Sequence, residues 1–193
     1  EISGYSITGT PVDCVKLAFD RLLPRKPDIV VSGINQGPNA AINTIYSGTV
    51  SAALEGAILG IIAVAFSLGA WKGGDFNAAQ AYIRRIVKTV LEHPMPAGVL
   101  LNVNIPDLPA DELKGIKVTR QAASRWQESF IERKDPTNKS YYWITGEFVN
   151  LDEGAATDLE ALADGWISVT PIRPDLTAHD IMIDIKSLPF RMP

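Results

Sequence analysis

Apolar residues in the first half of the chain follow two rhythms. Val12, Val15, Phe19, Leu22 and Leu23 recur at helical spacing behind Thr10-Pro11, a cap followed by a proline suited to the first helical position. Pro24 and Pro27 close that helix. Ile29 to Val31 is short and wholly apolar, the pattern of a strand buried on both faces of a parallel sheet. Ser47 to Gly60 reads as a helix with Val50, Ala53, Leu54, Ala57 and Ile58 inward, and Ile61 to Phe66 as a second buried strand. Asp75 caps a helix carrying Ala79, Ile83, Val87 and Val90, and Val99 to Ile105 is a third strand. Strand and helix in alternation predict right-handed crossovers and a mostly parallel α/β sheet. Tyr5 to Thr8 reads as the end of a further strand.

The rhythm changes after Pro106. Ile116 to Thr119 is a short strand, and Arg120 to Asp135 is polar with scattered aromatics. A turn cluster, Asp135 to Lys139, leads into Tyr141, Tyr142, Trp143 and Ile144, which have strong strand propensity. This predicts a long projecting hairpin, either a surface excursion or an arm whose aromatics pair with another chain. Trp166 to Thr170 returns as a strand, and Ile181 to Leu188 is a weakly amphipathic helix. The expected division is an α/β core over 1–119, the hairpin over 120–150, and a return strand with a terminal helix over 151–193.

Composition narrows the function. The chain has 193 residues, 46% hydrophobic and 21% charged, ordinary values for a globular protein with a core. A net charge of −4 gives no basic footprint for a nucleic-acid polymer, although a local site can still take a small anion. One cysteine, Cys14, permits no intrachain disulfide and suits a reducing compartment, so the expectation is a cytoplasmic protein. The longest apolar stretch, Ile58 to Leu68, is too short to span a bilayer, and no membrane association is expected.

The chemistry concentrates between Ser32 and Thr49. In a doubly wound sheet ligands bind beyond the carboxyl ends of strands, where this segment falls. Ser47-Gly48-Thr49 opens a helix, and free N–H groups at a helix N-terminus bind phosphate or carboxylate. Hydroxyls add donors and Gly48 allows close approach. The plainer alternative is that Ser47 only caps its own helix. Asn35 and Asn39 serve either as turn formers or as ligands, since an amide oxygen is a hard neutral donor suited to Mg²⁺ or Mn²⁺. Such an ion also needs carboxylates, and Asp28 lies at the wrong end of its strand.

At "GTPVDCVKLAF", "PDIVVSGINQGPN", "IYSGTVSAALEG" and "LLNVNIPDLP" the chain resembles the survival protein SurE family of metal-dependent 5′-nucleotidases. "GIKVTRQ", "YYWITG", "GAATDLEALADGWISVTPI" and "DLTAHD" extend the likeness over nearly the whole sequence. The resemblance implies a Rossmann-like domain with helices on both faces, and a C-terminal hairpin and helix exchanged within a homodimer or homotetramer. It implies hydrolysis of nucleoside 5′-monophosphates, with 3′-nucleotides and short polyphosphate as side substrates, and one Mg²⁺ or Mn²⁺ per subunit. The family's metal-ligand asparagine falls on Asn35 and its second active-site asparagine on Asn39. Its phosphate-binding segment falls on Ser47, Gly48 and Thr49, and its Asp–His pair on Asp175 and His179. On this reading Asn39, Ser47, Asp175 and His179 are catalytic.

The family's opening "NDDG", whose aspartates hold the metal, and a further serine ligand have no counterpart in this sequence, so the expectation is that an N-terminal segment is missing. Acidic residues common after the family's second asparagine are replaced by Ala40, Ala41, Ile42 and Asn43. Two alternatives follow. One is a non-catalytic, oligomeric, anion-binding remnant of the family. The other is a serine hydrolase using Ser47, His179 and Asp175, against which stands the lack of a Gly-x-Ser-x-Gly elbow. His93, at a helix end, is expected to face solvent, Cys14 to be buried, and Trp126, Tyr141 and Trp143 to pack in the arm.

Overall fold

The computed structural model describes residues 3–189. Thr10 caps α1 (Pro11–Leu17), with Asp13 closing the capping box, and a π-helical turn, Ala18–Leu22, continues it. Then follow β1 (Ile29–Gln36), α2 (Asn43–Tyr46), α3 (Gly48–Ile58), β2 (Ile62–Leu68), α4 (Phe76–Glu92) and β3 (Leu100–Ile105). The second half holds β4 (Ile116–Val118), β5 (Ser124–Lys134), β6 (Ser140–Asn150), α5 (Asp158–Ala163), β7 (Ile167–Ile172), a 3₁₀ turn at His179–Ile181 and α6 (Met182–Lys186).

The five-stranded sheet has the order β1-β2-β3-β7-β4. β1, β2 and β3 are parallel, β7 runs antiparallel to β3, and β4 is parallel to β7, so the sheet is mixed but mostly parallel. β5 and β6 form a separate antiparallel hairpin. Helices cover both faces. Val64, Phe66 and Leu68 of β2 pack with Ala79, Ile86 and Val90 of α4. The alternate residues, Ala63 and Ala65, pack with Val50, Ala53 and Ala57 of α3. Small residues on that second face bring α3 close: a Cβ on Gly56 would stand 2.7 Å from a Val30 methyl.

The structure departs from the expected elements in five places, one of them α2, a single turn that the sequence reading leaves outside any element. Tyr5 to Thr8 is not a strand. β1 runs five residues past Val31, through a bulge where three steps from Ser32 to Asn35 match two from Ala65 to Ser67 on β2. Gly33 makes the bulge possible, since it sits at φ +118° and a Cβ there would be 2.3 Å from the Phe66 carbonyl oxygen. α5 was not foreseen, because its six residues are too few to show a period. The terminal helix is shorter than expected, with the 3₁₀ turn taking Ile181 and the helix ending at Lys186. Cys14 is half-buried rather than buried.

Candidate functional site

β1 carries the chain to the carboxyl end of the sheet, where Gly37 N–H still donates to the Leu68 carbonyl at 2.9 Å. Asn35 ends there with its amide orientation fixed. Nδ2 donates to the carbonyls of Gln36 (3.2 Å) and Gly37 (2.8 Å), so Oδ1 points the other way and accepts from Thr49 Oγ1 at 3.3 Å. A strand-end amide oxygen and a helix-start hydroxyl therefore meet.

The loop from Gly37 to Ile42 is held by buried side chains of other elements. Asn39 N–H donates to Asn104 Oδ1 at 2.7 Å, and its carbonyl accepts from Asn102 Nδ2 at 2.8 Å and Thr44 Oγ1 at 2.9 Å. The Asn39 side chain donates to Ser67 Oγ at 2.7 Å. Ala41, at φ +52°, donates to Asp158 Oδ2 at 2.8 Å, and its carbonyl accepts from Gln121. Asp158 is fully buried and also accepts from the N–H groups of Ala122 and Leu159. A polar loop in a buried place needs such partners for its backbone. Asn102 Oδ1 and Asn104 Nδ2 are buried without a partner among the described residues.

Ser47 breaks the helical path between α2 and α3 with extended backbone angles and caps α3, its Oγ accepting from Val50 N–H at 3.1 Å. That leaves the hydroxyl proton free to donate. The first N–H groups of α3 have no acceptor within the helix and lie at the positive end of its dipole. The space a Cβ at Gly48 would need is taken by the Pro11 ring, 3.1 Å away, so packing on α1 accounts for this glycine. Asn35, Asn39, Asn43 and Ser47 line one cavity of about 310 Å³, walled by the rings of Tyr46, Trp71 and Trp126. Trp126 is fixed by its Nε1–H, which donates to Asn43 Oδ1 at 2.8 Å.

Of the residues marked from sequence, Asn35, Asn39, Ser47 and Thr49 come together. Asp175 and His179 pair with each other, Nε2 to Oδ2 at 2.6 Å, on an exposed segment. Hydrogen bonds from Thr177 and His179 hold the Asp175 carboxyl below the usual carboxylate range. Among the described residues no hydrogen bond joins this pair to Ser47 or to the asparagines, so no serine-hydrolase triad is assembled. Sequence reading missed Ser67, Asn102, Asn104 and Asp158. Two asparagines alternating inside the apolar strand Leu100–Ile105 were the available signal. His93 caps the C-terminus of α4 in an exposed position. Arg120 is engaged by Asp152 at 2.5 and 2.7 Å.

Comparison with known proteins bears on the family and the fold. The family described as Survival protein SurE matches residues 1–128. A protein of Christiangramia forsetii named 5′-nucleotidase SurE is 53% identical over 184 residues, 95% of this chain and 71% of its own length. One of the same name from Flavobacterium johnsoniae is 52% identical, covering 96% of this chain and 72% of the relative. The crystal structure of the SurE protein from Aquifex aeolicus superposes with a TM-score of 0.78 at 45% identity, covering 92% of this chain and 72% of that one.

Proposed function

Because this chain belongs to the survival protein SurE family, we propose that it hydrolyses nucleoside 5′-monophosphates to nucleoside and phosphate. One observation carries the reading: Asn35 and Ser47, the cap of α3, line one cavity with Asn39, and Thr49 Oγ1 donates to Asn35 Oδ1. The phosphoryl group binds there. N–H groups of the first turn of α3 and the Ser47 hydroxyl donate to its oxygens, and they gain strength as negative charge builds in the transition state. Asn39 adds its amide to these donors, and Asp175 orients His179 for proton transfer. Activity on 3′-nucleotides and short polyphosphate belongs to the same proposal. So does a homodimer or homotetramer built on the hairpin, where Phe130, Tyr142, Trp143 and Ile144 are exposed. The division into core, arm and terminal segment and a cytoplasmic location complete it. No helix among the described residues is long and apolar enough to cross a membrane.

A required Mg²⁺ or Mn²⁺ ion is also part of the proposal, with Asn35 Oδ1 as one ligand. The described residues alone do not fit such an ion, because Asn35 gives one neutral oxygen and no group of three His, Cys, Asp or Glu stands together among them. The roles given above therefore run through no metal.

The test is phosphate release from AMP and GMP by the protein expressed from its complete reading frame, with Mn²⁺, with Mg²⁺ and with EDTA. Turnover that EDTA abolishes is the expected result. Turnover indifferent to EDTA overturns the metal requirement. Phosphate binding without any turnover replaces the hydrolase reading with that of an anion-binding oligomer, which the scarcity of carboxylates at the site would then explain.

A further inference from the structure

A second cavity of about 360 Å³ lies beside the first, and Tyr46 and Trp126 line both. Its remaining lining comes from the hairpin: Glu128, Ile144, Thr145 and Gly146. The volume lies within the range of small-molecule sites.

The register of the hairpin explains the hollow. Trp126 stands opposite Phe148, Glu128 opposite Gly146, and Phe130 opposite Ile144, and residues two apart share a face. The middle pair has only one side chain. At Gly146 a Cβ would come within 2.9 Å of the Gln127 carbonyl oxygen and 3.1 Å of Glu128 Cα. A gap is thus left between Trp126 and Ile144. The Trp126 ring is rigid on that gap's edge, held by Asn43 at 2.8 Å and by an edge-to-face contact with Phe148 at 5.4 Å. Tyr46, immediately before the capping Ser47, is 71% exposed and makes no side-chain hydrogen bond among the described residues. Packing does not account for an aromatic ring there.

The lining also selects by charge. The one ionisable side chain on the hairpin side is Glu128, with no lysine or arginine among the lining residues. A carboxylate repels a phosphate and accepts from the N–H groups of a neutral heterocycle. Aromatic faces stack on planar bases of any identity.

We propose that this second cavity is the nucleobase site. The base stacks on Trp126 and Tyr46 with its N–H edge toward Glu128, while the phosphate of the same molecule lies at Ser47. This rests on the nucleotidase reading for the position of the phosphate. The bridge between the two sites is Tyr46, adjacent in sequence to the cap of the phosphate helix.

Tyr46→Ala and Glu128→Gln test it. Both side chains are exposed, so folding is little affected. The readout is the ratio of kcat/KM for AMP to kcat/KM for ribose 5-phosphate, which has the phosphate but no base. Loss of one stacking partner is expected to lower the ratio about tenfold in Tyr46→Ala, mostly through KM for AMP. Glu128→Gln is expected to lower it less. Calorimetric titration with adenosine, which has the base but no phosphate, supplies a binding readout independent of turnover. Adenosine binding that weakens in Tyr46→Ala supports the site even where no phosphomonoester is hydrolysed, and the nucleotidase reading alone then fails. Hydrolysis of AMP with an unchanged ratio in both variants, or adenosine binding that neither variant alters, overturns the base site and leaves the nucleotidase reading standing.

Discussion

Asp158→Asn isolates what holds the loop. Asp158 is 0% exposed, and its Oδ2 accepts from Ala41 while Oδ1 accepts from Ala122 and Leu159. An asparagine that keeps its oxygen toward Ala122 and Leu159 turns an NH₂ group toward the Ala41 N–H. One bond is lost and two donors face each other. An orphaned buried N–H costs about 1–3 kcal/mol. For a chain of this size each kcal/mol is worth roughly 2–4 °C, so the melting temperature should fall by about 2–12 °C. The functional effect should be larger than the stability effect, because the freed segment bears Asn39. A displacement on the order of 1 Å costs up to about 100-fold in rate, and a drop of roughly 10- to 100-fold in kcat/KM for AMP at 25 °C is expected. Ile86→Val, a buried methyl removed beneath α4 far along the chain from the loop, costs about 0.5–1.5 kcal/mol and serves as the control. Thermal unfolding and phosphate release are measured on both. The reasoning fails if Asp158→Asn melts and turns over like the parent, or if both variants lose activity in equal proportion to stability.

Two further predictions concern the frame. Gly56→Ala should lower the urea midpoint despite alanine's better helix propensity, since its Cβ would lie 2.7 and 2.8 Å from Val30 side-chain atoms; overpacking of about 1–3 kcal/mol outweighs a gain of about 1. Asp152 is held well below the usual carboxylate range by the Arg120 guanidinium, with N–H groups of Ala123 and Gly154 adding to it. As pH falls the unfolded chain binds the proton first, so this contribution is complete above the ordinary Asp value near 3.9 and is lost below it. Asp152→Asn should therefore be less stable at neutral pH and show a shallower loss of stability below about pH 4, read from unfolding midpoints across that range.

The elements legible in the sequence were those with period. Burial on both faces made β2 and β3 nearly continuous apolar runs, and α4 showed its stripe and its Asp75 cap. β1 was read short because its polar second half, Ser32 to Gln36, is strand only through a bulge that no local pattern announces. In the site, Asn35, Ser47 and Thr49 were legible because they flank a strand end and a helix start. The supports of the loop were not. Asn104 and Asp158 lie 65 and 117 residues from their partners, and hydrogen bonds across such separations leave no trace in local periodicity.

The manner in which the loop is gripped separates architecture from chemistry. Asn102, Asn104 and Asp158 take hold of main-chain atoms of Asn39 and Ala41, and main-chain atoms are the same whatever side chain they bear. The loop is a socket: residue 39 can be exchanged while its Cα stays where it was, because among the described residues the bond to Ser67 is the one hydrogen bond on its side chain. A new chemical group could be installed at that position without redesigning the fold around it, whereas the residues that form the socket must be kept as a set.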